Sequence, residues 1–264
     1  MIVVQETESR GAGRLQTVVR KALGPVFRQM FDLTIVGIEN LPTDGPAIIA
    51  ANHTSVLDSF IVPSVLPRNI SYVGKAEYLD DWKTKHIFPA LGMIPIDRSG
   101  GDAAQAALDM AAAVLDGGGL FGIYPEGTRS RTGHLYKGRT GVARLSHRTG
   151  APIIPVGLVG MRDIQPPDAR LPKFFTSATI NFGPPLHPEE HGDPATDPMA
   201  YRALADALMF RIRHLSGQQY INRYAPSKVE LEAQNDHIVL NERYDITPDK
   251  PLADRRTATD MLNA

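Results

Sequence analysis

Short apolar runs alternate with helical patterns along most of this chain. Strands are predicted at residues 32–36, 47–51, 70–73, 120–124, 152–159 and 178–182, where apolar residues follow one another with few interruptions. Helices are predicted at 103–115, 142–147 and 199–215, where apolar residues recur at helical spacing. This alternation predicts an α/β domain over about residues 32–215.

The segment that precedes this domain has an amphipathic pattern. Residues 13–31 carry apolar side chains at helical spacing, with basic side chains mostly between them and a Gly24-Pro25 pair inside. One interpretation is a helix that packs on the core and exposes a basic face. The other is a helix that contacts a membrane surface, alone or in addition to core packing. We treat residues 1–31 as a membrane-associating amphipathic helix.

The chain from residue 217 onward has a different composition. It is polar, leans acidic and contains Pro226, Pro248 and Pro251. This pattern predicts a polar C-terminal extension over residues 216–264, an appendage or partly ordered tail and not a second core.

Composition and charge exclude several classes of protein. The 264 residues carry a net charge of −1, which gives no global attraction to nucleic acid. Cysteine is absent, so there is neither a disulfide framework nor a thiol nucleophile. The histidines show no metal-ligand spacing, and we expect no metal. No apolar run approaches the length of a membrane-spanning helix and the first residues do not form a signal peptide, so we expect a protein that does not cross a bilayer; contact with a membrane surface stays open.

The strongest candidate for chemistry follows the apolar run at 47–51. His53 and Asp58 lie five residues apart, and Thr54 or Ser55 is a candidate cap for a helix that begins between them. Histidine moves protons near neutral pH, and a carboxylate beside it fixes its tautomer and supports the imidazolium. A match of this kind arises readily by chance, so it gains weight only from its context.

A second candidate segment, residues 125–129, follows the predicted strand at 120–124. Gly127 permits close backbone approach to a ligand, and Arg129 can hold a phosphate through two charge-assisted hydrogen bonds. Glu126 can accept a hydrogen bond from a hydroxyl or brace an arginine. The plain alternative is a structural turn with a surface ion pair.

Two further positions have weaker local support. Asp97 and Arg98 follow a short apolar run, and Arg98 is a candidate second phosphate ligand, although a surface ion pair is the more common arrangement. Lys75 comes at the end of the strand near 70–73, yet most lysines are solvated surface groups.

Four segments together resemble the glycerolipid acyltransferases, in particular the 1-acylglycerol-3-phosphate acyltransferases. Asn52, His53 and Asp58 match the family pattern N-H-x4-D, and residues 92–98 match G-x-x-x-I-D-R. Residues 125–129 match P-E-G-T-R without change, and residues 151–156 resemble an apolar motif with a central proline. The order and spacing agree over about residues 32–215, and Lys75 matches a lysine seen between the first two motifs.

The resemblance implies an α/β fold with a mixed central sheet that is flanked by helices. It also implies that the protein is an O-acyltransferase. The implied reaction transfers a fatty acyl group from acyl-CoA or acyl carrier protein to the free hydroxyl of 1-acylglycerol-3-phosphate, which gives phosphatidic acid. His53 is the implied base and Asp58 its partner. The implied substrate-binding residues are Lys75, Arg98, Glu126, Gly127, Thr128 and Arg129. No cofactor is implied, since the acyl donor is a co-substrate.

The resemblance leaves the acceptor open. Alternatives are another lysophospholipid, a glycolipid, or a non-catalytic membrane-binding relative; a thioesterase needs no phosphate-binding loop and is disfavoured by residues 125–129. The implied partners are a lysophospholipid, the acyl donor and a membrane surface, without nucleic acid. The expected location is peripheral, on the cytoplasmic side of a membrane.

Overall fold

The computed structural model describes residues 8–75, 92–96, 103–167, 169, 171–227 and 230–231, without the side chains of 8–12, 75 and 96. The helices are α1 (Glu8–Met30), α2 (Asp58–Val65), α3 (Ala103–Asp116), α4 (Gly141–Thr149), α5 (Met161–Ile164) and α6 (Ala200–Ser216). The strands are β1 (Leu33–Val36), β2 (Ala47–Ala51), β3 (Ile70–Lys75), β4 (Met93–Ile96), β5 (Leu120–Ile123), β6 (Leu135–Tyr136), β7 (Ile153–Val159), β8 (Ala178–Phe182) and β9 (Tyr220–Ile221).

A mostly parallel sheet forms the centre of the fold. Within the described ranges, seven strands follow the order β1-β8-β7-β2-β5-β3-β4. Strand β2 lies between β5 and β7 and is parallel to both, whereas β8 runs antiparallel to β7. All five residues of β2 are buried, as expected for a central parallel strand covered on both faces. The predicted α/β class, the mixed sheet and the N-terminal helix are confirmed.

Two hydrophobic clusters cover the two faces of the sheet. Side chains alternate along β2, so that Ile49 joins the cluster beneath α1, α2 and α5, while Ile48 joins the one beneath α3, α4 and α6. Helix α1 approaches α2 closely at Gly24, where a Cβ atom would stand 2.6 Å from the carbonyl oxygen of Ser64. A glycine is therefore required at this contact.

The chain divides into two compact units, Met1–Ala225 and Pro226–Ala264. In the first unit, β9 pairs with β6, so that residues just after α6 belong to the same body as the sheet. In the second unit, the backbone N–H of Ser227 donates to the carboxylate of Glu230 at 2.6 Å. No helix in the described portion of the chain is long and apolar enough to cross a bilayer.

Candidate active site

The candidate site lies where parallel strands end. The residues after β2 and β5 carry His53 and Glu126, and the two strands are hydrogen-bonded neighbours. The carboxyl ends of parallel strands meet at one edge of a sheet, which is where ligands usually bind. Lys75 ends β3, although its side chain is not described. Arg98 follows β4 and lies outside the described residues, so its role stays a prediction.

His53 and Asp58 form a direct pair. His53 Nδ1 lies 2.8 Å from Asp58 Oδ2, and the Asp58 side chain is fully buried. The same Oδ2 accepts the backbone N–H groups of Thr54 and Ser55 at 2.8 and 2.9 Å. An oxygen that accepts two N–H groups requires Nδ1 to be the donor, which leaves Nε2 as the ring nitrogen that can take a proton.

The helix after His53 begins differently from the sequence prediction. We expected Thr54 or Ser55 to cap it, but α2 begins at Asp58 with Leu57 as its N-cap. The Asp58 carboxylate in the first turn reaches back to the preceding loop and holds His53 there. The position also suits the partial positive charge of the helix N-terminus. The cap prediction was wrong because the loop N–H groups bond to a carboxylate inside the helix.

Asn52 fixes the backbone immediately before His53. Its Nδ2 donates to the carbonyl of Leu158 at 2.9 Å, and its Oδ1 accepts the N–H of Leu158 at 2.7 Å. The side chain thereby imitates one more step of the β2–β7 ladder. Nδ2 also donates to Oε1 of Gln218 at 2.8 Å. Gln218 lies in the segment that we treated as part of the C-terminal extension, and no pattern in the sequence indicated its contact.

Tyr124 is a site residue that sequence analysis missed. Its ring stacks on the His53 imidazole with centroids 3.8 Å apart and planes 10° apart. Its hydroxyl shares a 3.1 Å hydrogen bond with Ser59. Burial, the neighbouring Tyr72 and the negative charge of Asp58 hold the pKa of Tyr124 well above its usual range, so the phenol stays neutral. The signal was its position at a strand end, directly before residues 125–129.

Glu126 braces two backbone segments. Its Oε1 accepts the N–H of His53 at 3.2 Å and its Oε2 accepts the N–H of Tyr136 at 3.0 Å. The residue is only 1% exposed. Burial raises the pKa of Glu126 from 4.5 to about 7, against the lowering effect of the two N–H donors. These contacts favour a positioning role, and contact with a substrate glycerol stays a prediction.

The pKa of Glu126 gives a test of this burial. Between pH 4.5 and about 7 the folded protein holds a proton that the unfolded chain has released, so the free energy of unfolding falls as pH rises through that window. The full effect is on the order of 3 kcal/mol. Glu126→Gln is expected to lose this slope, measured by urea unfolding across the window. Glu189→Gln, at an exposed carboxylate, should keep it; an unchanged slope in Glu126→Gln would contradict the assignment.

The remaining loop residues face the solvent side of the site. Gly127 and Thr128 are exposed, and Arg129 is partly exposed. Gly127 has a φ of 78°, and a Cβ there would stand 2.9 Å from Nε of Arg139. Arg129 donates one Nη1 hydrogen bond to the carbonyl of Pro167 at 3.3 Å. Its guanidinium has five N–H donors, so this one hydrogen bond orients the group and leaves further N–H donors for a ligand.

The structure has a close neighbour among solved structures. The crystal structure of the 1-acyl-sn-glycerophosphate (LPA) acyltransferase PlsC from Thermotoga maritima matches with a TM-score of 0.62 at 20% identity, over 80% of this chain and 84% of that one. At this identity the match shows the fold: an α/β domain of the kind seen in that acyltransferase.

The sequence is also similar to several proteins that are named 1-acyl-sn-glycerol-3-phosphate acyltransferases. The chloroplastic 1-acyl-sn-glycerol-3-phosphate acyltransferase of Arabidopsis thaliana is 28% identical over 52% of this chain and 38% of its own length. The sheep alpha enzyme of that name is 29% identical over 67% of this chain and 59% of its own. A protein of Caenorhabditis elegans with the same name, there marked putative, is 32% identical over 49% of this chain and 46% of its own length. The chain thus spans less than two thirds of these relatives.

The family assignment rests on the segment that holds the candidate site. Residues 32–159, just under half of the chain, match the family model described as Acyltransferase. This segment is similar to that family, and the predicted resemblance to glycerolipid acyltransferases is confirmed.

Proposed function

We propose that the protein transfers a fatty acyl group from acyl-CoA or acyl carrier protein to the free hydroxyl of 1-acylglycerol-3-phosphate. The observation that carries the proposal is the His53–Asp58 pair at the carboxyl end of β2, beside the loop that holds Arg129. The names of the relatives support glycerolipid acyl transfer, and the segment that matches the Acyltransferase family model, residues 32–159, includes both features.

The proposed chemistry is direct attack. The acceptor hydroxyl gives its proton to His53 Nε2 while its oxygen forms a bond to the thioester carbonyl carbon. The C–S bond then breaks, and the thiolate takes the proton from the imidazolium. Asp58 stabilises that imidazolium through Nδ1, and the face of the Tyr124 ring, 3.8 Å away, favours the same positive charge.

Arg129 is proposed as a ligand of the acceptor phosphate. Arg129 is partly exposed in the loop after β5, close in sequence to the exposed Gly127. A guanidinium can hold two phosphate oxygens in parallel hydrogen bonds. Arg98 and Lys75 are the other cations proposed for the substrates.

The deciding experiment measures thiol release from acyl-CoA with 1-acylglycerol-3-phosphate, beside other lysophospholipids, a glycolipid and a control without acceptor. Release that requires 1-acylglycerol-3-phosphate supports the proposal. Release with another acceptor replaces the substrate but keeps the reaction, and release without any acceptor indicates a thioesterase. If no acceptor works with acyl-CoA, the assay is repeated with acyl carrier protein, and failure there as well would overturn an enzymatic role.

Arg129→Ala is expected to raise the apparent KM for the phosphorylated acceptor about tenfold or more, because charge-assisted hydrogen bonds to phosphate are lost. The KM for acyl-CoA should change much less. Arg148→Ala is the matched control, since Arg148 is half-exposed and pairs with Asp109 on α3. An unchanged acceptor KM in Arg129→Ala would remove Arg129 from the phosphate site.

A further inference from the structure

A short loop between α5 and β8 exposes an unusual amount of apolar surface. Within residues 171–175, here called the aromatic loop, Leu171 is 78% exposed, Phe174 54% and Phe175 86%. Clustered large apolar side chains at a surface mark a site of interaction, whereas single ones do not. Lys173 is exposed between them and adds a positive charge.

The fold holds this loop in place. Phe175 has a φ of 58°, an uncommon conformation for a residue with a Cβ, and its N–H donates to the carbonyl of Met30 at 2.8 Å. The N–H of Lys173 donates to the carbonyl of Ile164 at 2.7 Å, and the Phe174 ring stacks on the buried ring of Phe31. The exposed Phe175 ring is thus presented by a braced backbone at the end of α1.

Helix α1 continues the same kind of surface. Phe27 and Met30 at its C-terminal end pack on the core, as does Phe31 directly after it. Leu15, Val18 and Val26 remain exposed. Residues 13–31 contain four basic side chains and no acidic one, and three of the basic ones, Arg14, Lys21 and Arg28, are exposed. A surface that mixes exposed apolar and basic side chains matches the interface of an anionic bilayer.

The aromatic loop is also connected to the candidate active site. Its preceding segment contacts the site at two points: Gln165 Oε1 accepts a 3.4 Å hydrogen bond from Oγ of Ser55, and Pro167 accepts one from Arg129. Ser55 lies in the loop that Asp58 holds, and Arg129 is the proposed phosphate ligand. One segment therefore runs from the loops of the site to the exposed aromatic rings.

We propose that the aromatic loop inserts into the surface of an anionic bilayer beside α1 and presents the active-site loops to that surface. The inference rests on the proposed function, because it supposes that the acceptor is drawn from a lipid layer. It adds a second insertion element to the amphipathic helix, and it names Phe175 as the side chain that enters the acyl region.

The first test is flotation of the full chain with phosphatidylglycerol/phosphatidylcholine vesicles. Phe175→Asn removes the ring and keeps a residue that tolerates positive φ. Loss of one inserted phenylalanine is expected to lower vesicle binding about tenfold or more. Phe210→Asn is the matched control: Phe210 is 55% exposed on α6, which covers the opposite face of the sheet, and its loss should leave binding unchanged.

A second measurement gives a positive signal. Phe175→Trp fluorescence is expected to shift to the blue on anionic vesicles and to be quenched by brominated lipids, whereas Phe210→Trp should show neither effect. The single native tryptophan contributes equally to both variants. Unchanged binding by Phe175→Asn, or no quenching of Phe175→Trp, overturns the proposal. A change of oligomeric state in Phe175→Asn, with vesicle binding intact, would assign the surface to a second copy of the chain.

A parallel assay separates this inference from the proposed function. A short-chain 1-acylglycerol-3-phosphate that stays monomeric in water needs no membrane docking, so Phe175→Asn should turn it over like the wild type while losing activity on vesicle-embedded acceptor. If the wild type turns over 1-acylglycerol-3-phosphate and Phe175→Asn binds vesicles as the wild type does, the inference alone is refuted. If the wild type turns over neither acceptor but Phe175→Asn loses vesicle binding, the proposed function alone is refuted.

Discussion

Replacing His53 with alanine is expected to lower kcat for acyl transfer by about 10²- to 10⁴-fold, the usual contribution of a positioned general base. Substrate binding should change little, because no phosphate ligand is removed. The fold should survive, since the backbone N–H of His53 still donates to Glu126 and its carbonyl still accepts the N–H of Ser130. The measurement is steady-state thiol release, with thermal unfolding as the check on folding.

The vacated space offers a stricter test of the same assignment. The His53 ring lies between the face of Tyr124 and the carboxylate of Asp58, so added imidazole can occupy the gap in His53→Ala and restore part of the activity. His187→Ala is the matched control, because His187 also lies near a carboxylate, that of Glu189 at 3.8 Å, but at the surface. Near-wild-type activity in His53→Ala would remove His53 as the base.

The sequence predicted the central strands well because their signal is local. Strand β2 is apolar at all five positions and is buried at all five, and its predicted and observed bounds agree. Strand β4 was described from sequence only as a short apolar stretch, since its identity as a strand depends on pairing with β3. It contains Pro95, which a strand at the edge of a sheet tolerates.

The candidate site was predicted in part, for the same physical reason. His53 and Asp58 are five residues apart, so their pairing is a local event that a motif can encode. The contacts of Asn52 with Leu158 and Gln218 span 106 and 166 residues, and no sequence pattern reports them. The stacking of Tyr124 on His53 likewise requires β5 to lie beside β2.

Replacing Asp58 with asparagine is expected to lower kcat by about 10²- to 10⁴-fold, because a neutral amide cannot stabilise the imidazolium as a carboxylate does. We expect the amide oxygen to keep the position of Oδ2, because the N–H groups of Thr54 and Ser55 and Nδ1 of His53 all donate to that one atom, so the tautomer of His53 should be kept. Asparagine is preferable to alanine here, because alanine would leave the buried N–H groups of Thr54 and Ser55 without their acceptor.

The readout for Asp58→Asn separates the loss of charge stabilisation from structural damage. ¹⁵N chemical shifts of the His53 ring report which nitrogen carries the proton, and they should show the wild-type tautomer in this variant, while the unfolding temperature changes little. Asp163→Asn, in the first turn of α5, is the matched control and should leave both activity and ring shifts as in the wild type. A fully active Asp58→Asn would show that the 2.8 Å contact with His53 is not used in catalysis. A loss of activity with unchanged KM values and the wild-type tautomer would assign Asp58 as the residue that stabilises the charge of the base.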